Sequence, residues 1–353
     1  MATDLLTAVT ARYPQSEFPA LWWQYRTWSS SRPLAGMRIL DATPVFANTM
    51  AKYLALSAAG ARLTVAVNPT LPSDSAVVAA LPGLGVPVTS EPSGEFDIVL
   101  DCAGLHADVP SGFGYAELTR SGLDRYVASA KPVLSVDSGA IKRIETTLGT
   151  SDGFVRAMTS LGHPIPAGAA IVIFGLGKVG AGVAHAAARH GARITAVDPV
   201  PGQAERVAVK LGVTMSAVGP DDRALVLEAV EDAWCVVAAT GVYAGLDSYA
   251  DELSASSALL ANMGAEDEFG PRMPPARALN GKFPVNFALP EPTLLRYLDA
   301  TMALSNACAV ELATSDLPPG LALPPVGVET ELLRITREQG LITDEIDDLG
   351  GFT

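Results

Sequence analysis

Residues 171–182 read IVIFGLGKVGAG, four apolar residues running straight into Gly175, Gly177 and Gly180. An unbroken apolar run suits a strand buried on both faces, and the glycines suit a tight turn that opens a helix. A parallel strand reaches its neighbour only through a crossover, so this pattern commits the chain to alternating strands and helices. The next strand, RITAVD, closes on Asp198, 23 residues after Gly175. Strand, G-x-G-x-x-G turn, helix and a second-strand acid together form a dinucleotide cradle. The pyrophosphate rests on the helix N-terminus and the acid takes the ribose hydroxyls. A carboxylate there favours NAD over its 2′-phosphate. An empty scaffold of the same shape would carry the same pattern.

The alternation occurs twice. MRILDA, RLTVAV, FDIVLDCA and PVLSVD read as strands between helical stretches in the first half, and the rhythm restarts near residue 151 with AAIVIFG, RITAVD, CVVAATG and ALLANMG. The predicted class is α/β, with two doubly wound Rossmann-like domains, parallel sheets and a cleft between them. Residues 1–150 are expected to bind substrate, completed by a helix over 291–317. Residues 151–290 form the NAD-binding domain, and 318–353 a C-terminal tail after the Pro-rich DLPPGLALPPVG. GAIKRIETTLGTSDGFVRAMTSLG reads as a connecting helix.

A net charge of −14, without a basic run, argues against a nucleic-acid partner. The three cysteines are far apart and match neither a disulfide framework nor a zinc pattern, so no metal is expected and a cytoplasmic location fits. The N-terminus lacks the pattern of a signal peptide, and no apolar run is long enough to span a bilayer.

Several side chains could do chemistry. Lys142 lies in the connection beside Glu145, Thr146 and Thr147, where an enclosed amine can act as a base on a hydroxyl. A solvated helix lysine would look the same. Asp101, Cys102 and His106 share a strand end, where αβ folds place ligands, although core or turn roles are equally open to them.

In sequence order, EFPALWWQYRTWSSSRPLAGMRI, AVNPTLPSDSAVVAAL, PVLSVDSGAIKRIETTLGTSDG, IFGLGKVGAG, ANMGAEDE and FPVNFALPEP resemble six segments of the S-adenosylhomocysteine hydrolase family. The resemblance covers most of the chain and puts Lys142 on the family's catalytic lysine, with Glu145, Asp101, Cys102 and His106 beside the chemistry. It implies coenzyme contacts from Gly175, Gly177, Lys178, Val179, Gly180 and Asp198. Further coenzyme contacts are implied for Thr119, Ser121, Thr147, Thr240, Gly241, Asn262, Met263, Gly264 and Asn286. Phe46, Asn48, Thr146, Ala265 and Glu291 fall on substrate positions. A homo-oligomer, dimer or tetramer, is implied as well.

The family uses NAD as a captive tool. Oxidising a ribose hydroxyl acidifies the neighbouring C–H, the exocyclic substituent leaves, and the ketone is reduced again. The departures lie at the leaving group. Cys102 stands for an acid/base Asp, Ala265 and Glu291 for histidines, and Thr146 for an Asp; Pro44 to Asn48 replace an adenosine-pocket motif. The family's terminal Lys and Tyr have no counterpart. Three outcomes follow from the resemblance: a nucleoside dehydratase like the relative that makes the exocyclic alkene of the nucleoside antibiotic angustmycin A, a hydrolase with altered acid/base groups, or an inactive NAD-containing binding protein.

Overall fold

The computed structural model describes residues 4–348, which fold as two compact units. Among the described residues, the first comprises the chain up to Lys142 together with Leu294–Asp344; the second is Arg143–Thr293 with the few that follow Asp344.

The first unit opens with β1 (Arg38–Asp41), β2 (Arg62–Ala66), β3 (Val88–Thr89), β4 (Phe96–Asp101), β5 (Ser111–Glu117) and β6 (Pro132–Ser135). The second unit contributes β7 (Ala170–Phe174), β8 (Arg193–Val197), β9 (Met215–Val218), β10 (Cys235–Ala238) and β11 (Leu259–Asn262). The chain then returns to the first sheet as β12 (Gly320–Ala322). The sheet orders are β12-β6-β5-β4-β1-β2-β3 and β11-β10-β7-β8-β9, and every strand pairing among the described residues is parallel. Each sheet is wound outward from a central pair, β1/β4 in one and β7/β10 in the other. Such switch points open a crevice at the strands' C-terminal ends.

The central strands are apolar because both their faces are covered: Ile171 to Phe174 and Cys235 to Ala238 are all buried. In the first unit the helix Leu295–Thr314 is buried along most of its length. Its Asp299 accepts from the backbone N–H groups of Ala20 (2.8 Å) and Leu21 (2.9 Å). The helix Pro19–Ser31 has Phe18 at its N-cap, whose side chain cannot cap, so a distant carboxylate satisfies two of its orphan donors. Asp299 is fully buried, and that burial raises its carboxyl to about 7.

The division into units departs from the expected boundaries. It falls between Lys142 and Arg143 because the π-helical segment Ile144–Gly149 packs against the helix Lys178–Arg189. A Cβ on Gly182 would stand 2.2 Å from the Thr147 carbonyl oxygen, so glycine permits that approach. The segment expected as a tail is part of the first unit up to Asp344. Gly320–Ala322 pairs with β6, and Leu332 and Ile335 of the helix Val326–Gln339 enter the core. Residues 349–353 of that segment, and residues 1–3, lie outside the described residues.

Candidate functional site

In the second unit, the turn after β7 uses its three glycines differently. Gly175 has φ +87°, and a Cβ there would lie 2.4 Å from the Ala239 oxygen. A Cβ on Gly180 would lie 1.8 Å from the Gly175 oxygen, so its absence lets the helix sit on the turn. Gly177 is unlike both. Its φ of −68° suits any residue, and a Cβ there would meet nothing within 4 Å. It stands at the N-cap of the helix Lys178–Arg189 without a side-chain cap, so the space before those N–H groups is open.

Asp198, just past β8, is tied into this turn. Its carboxylate accepts from Leu176 N–H (2.7 Å) and Val200 N–H (2.9 Å). Gln203 closes the loop by donating to the Leu176 carbonyl (2.9 Å). Asp198, Val200, Gln203, Ala217 and Gly219 surround a shallow cavity, where a ribose and its base would lie.

Across the switch point, Glu268 organises the loop after β10. Its carboxylate accepts from Thr240 N–H (2.6 Å), the Thr240 hydroxyl (2.8 Å) and Gly241 N–H (2.8 Å). Burial raises this carboxyl, opposed by those bonds. Gly264 makes room for it, since a Cβ there would stand 1.7 Å from its Oε1. Asn262 holds the following chain, donating to the carbonyls of Glu266 and Lys282 and accepting from Gly264 N–H. Met263 is buried beside it, and Ala265 is exposed. Asn286 is 5% exposed, and its Oδ1 has no hydrogen-bond partner among the described residues. A buried amide oxygen left unsatisfied suits a donor from outside the chain. Open space at Gly177, a carboxylate at Asp198 and the orphaned Asn286 oxygen fit a nicotinamide dinucleotide.

The π-helical segment carries Glu145, Thr146 and Thr147, with the Thr147 hydroxyl donating to the Lys178 carbonyl (3.3 Å). Six-residue π segments are rare and recur at functional sites. Glu291 is half-buried, and its carbonyl accepts from Arg156.

In the first unit, Lys142 is 3% exposed at the end of the helix Gly139–Arg143. Asp101 ends β4 at the switch point. It accepts from Cys102 N–H (2.8 Å), His106 N–H (3.1 Å) and the Tyr126 hydroxyl (2.6 Å). Burial raises its carboxyl despite those bonds. Glu117, at the end of β5, holds the same turn through Ala103 N–H and Gly104 N–H, at φ +59° and +65°. Thr119 donates its hydroxyl to Glu117 (2.7 Å), and Ser121 lies 3.4 Å from the Thr119 oxygen. Cys102 and His106 are buried in that turn; burial lowers the His106 imidazole, and its Nε2 has no partner among the described residues.

The loop after β1 carries Phe46, half-buried, and Asn48, buried. It is anchored by an ion pair that sequence reasoning missed. Lys52 bonds Asp41 and donates to the Thr43 hydroxyl (3.1 Å), with both charged side chains fully buried. Its only sequence signal is a lone charge inside the apolar helix MAKYLALSA. Glu268 was also missed, although it ends the ANMGAEDE segment.

Residues 171–267 match the TrkA-N domain. That places a nicotinamide-dinucleotide-binding Rossmann unit within the second unit. Among curated proteins no relative matches. Of solved structures, a dipicolinate synthase chain from Bacillus subtilis is similar at 13% identity and a TM-score of 0.51, over 81% of this chain and 100% of that one. The corresponding dipicolinate synthase chain from Bacillus halodurans gives 13% and 0.47, over 80% and 99%. A transhydrogenase from Sinorhizobium meliloti gives 15% and 0.43, over 78% and 95%. The Bacillus subtilis likeness is one of fold. Among the described residues no helix is long and apolar enough to cross a membrane.

Proposed function

We propose that this chain is an enzyme that retains NAD and uses it to expel a substituent, water in the simplest case, from a nucleoside or related furanoside. The observation that carries the coenzyme half is Gly177. Its backbone angles are ordinary and no neighbouring atom of the chain closes the space beyond it, so a molecule has room to approach the turn and the helix N-terminus there. The carboxylate of Asp198 selects NAD over its 2′-phosphate by charge. The reaction half rests on Lys142, buried and two residues before the π-helical segment in sequence, and on the six-segment resemblance.

When bound, NAD supplies reversible oxidation of a ring hydroxyl. Lys142 takes the proton of that hydroxyl. The C–H beside the new ketone is then acidic enough for a carboxylate to remove. In this proposal Glu145 removes it, while Asp101 is engaged by three N–H or O–H donors. Asp101 instead holds the turn that presents Cys102 and His106. The exocyclic substituent leaves as the enolate collapses, and the ketone is returned to an alcohol.

Incubating the protein with candidate nucleosides in deuterated water tests this. Deuterium enters the ring position beside the oxidised carbon, and a transient absorbance of reduced nicotinamide rises and decays without added reductant. Lys142→Ala lowers turnover by about 10²–10⁴ while NAD stays bound. Net loss of water with an alkene product identifies a dehydratase, and release of homocysteine identifies a hydrolase. Free reduced coenzyme accumulating with product would replace the proposal with an ordinary dehydrogenase.

A further inference from the structure

Lys142 is carried by the short helix Gly139–Arg143 of the first unit. The N–H groups of a helix's first turn have no partner within the helix and need one from elsewhere. For Ile141 that partner lies 188 residues away: its N–H donates to the Glu329 carboxylate at 3.0 Å. Ile141 is the residue before Lys142, and both are buried. Gly139 lets the carboxylate in. Its φ of +93° favours glycine, and a Cβ there would collide with both carboxylate oxygens of Glu329.

The chain around Glu329 holds it in that place. Glu329, Leu332 and Thr336 recur at i, i+3 and i+7 on the helix Val326–Gln339, and Leu332 and Thr336 are buried. Leu332 joins the same apolar core as Ile141. Arg334, on the exposed side of that helix, pairs with Glu331 and Glu338 instead. Just before the helix, Gly320–Ala322 pairs with β6, the strand that leads into the helix of Lys142. The C-terminal segment thus grips the chain on both sides of residues 136–138, once through the sheet and once through the carboxylate.

We propose that Glu329 is a positioning residue for Lys142, fixing from the C-terminal segment the turn that carries the amine. The proposal rests on the reading of Lys142 as the base that takes the ring hydroxyl proton. A carboxylate at a helix N-terminus also matches the helix dipole, so the contact is a charge-assisted hydrogen bond. Without it the turn frays, and a base displaced by about 1 Å loses on the order of 10²-fold in rate.

Steady-state kinetics of Glu329→Ala and Glu329→Gln in the NAD-loaded protein test this. Glu329→Ala lowers kcat about 10–100-fold with KM little changed. Glu329→Gln, which keeps an oxygen to accept from Ile141 N–H, recovers most of the loss. Adding Glu329→Ala to Lys142→Ala costs nothing further, because the residue acts through the lysine. Wild-type kcat in Glu329→Ala overturns the proposal, as does a double variant that loses both factors in full. A readout apart from turnover is acetylation by acetic anhydride, followed by peptide mass spectrometry. Lys142 labels faster in Glu329→Ala, relative to the exposed Lys210, while Lys52, buried in the same unit, stays protected. Equal labelling of Lys142 in variant and wild type overturns the proposal, and so does labelling of Lys52 alongside it, which would show a general loosening of the unit. Normal turnover by Lys142→Ala would overturn the reading of that residue as the base, and acetylation then still tests the contact by itself, so the two failures are distinguishable.

Discussion

Replacing each of two neighbouring glycines by alanine separates a glycine needed by the fold from one needed by a ligand. At Gly180 the new Cβ would lie 1.8 Å from the Gly175 oxygen and 2.9 Å from its carbonyl carbon. Both are backbone atoms, so the helix Lys178–Arg189 must move off the turn by more than 1 Å, on the order of the gap to an ordinary contact. Overpacking of that kind costs about 3 kcal/mol. For a unit this size, that lowers the melting temperature by about 6–12 °C. At Gly177 the Cβ meets nothing and the backbone is ordinary, so the cost is below about 1 kcal/mol. The methyl does enter the space before the helix N-terminus, and losing one or two charge-assisted bonds there weakens NAD by about 10–10³-fold. Thermal unfolding of both variants, with NAD titrations, reads the two effects. A Gly177→Ala protein that binds NAD like wild type would refute the reasoning, as would a Gly180→Ala protein that melts like wild type.

Asp299 makes stability depend on pH. Its carboxyl is raised from 3.8 to about 7, so the folded state binds the proton more tightly than the unfolded chain. This stabilisation is full below about 4 and is lost as pH rises through about 7, a few kcal/mol in all. Asp299→Asn should flatten that slope in denaturant titrations across this window; an unchanged slope would exclude the residue as its source. Lys52→Met should cost about 3–5 kcal/mol by stranding the buried Asp41 carboxylate, and Asp41→Asn added to it should recover part of the loss. Equal stability of the Lys52→Met protein and the wild type, by chemical denaturation, would contradict a charged pair.

The chain's apolar runs made β1, β2, β4, β6, β7, β8, β10 and β11 legible, because strands covered on both faces leave no polar alternation to confuse with a helix. β5 was not legible. Its sequence SGFGYAE carries two glycines, and its pairing with β4 shifts register between Phe96 and Ile98. β3 and β12 are too short to show a period, and β9 is partly exposed along its length. The glycine turn and Asp198 could be read because their chemistry is local in sequence. Glu268 and Glu117 could not, since each acts on loops that only the fold brings to it. Lys52 and Asp41 are 11 residues apart on different elements, and nothing in their spacing announces a buried pair.

The most direct test of resident NAD is mass spectrometry of the nucleotide released when the freshly purified protein is denatured. NAD near one equivalent per chain, without its 2′-phosphate, is the predicted result, together with near-complete loss in a Gly177→Ala/Gly180→Ala protein that still folds. Release of NADP, or of no nucleotide from a protein whose melting temperature added NAD does not raise, would contradict the account.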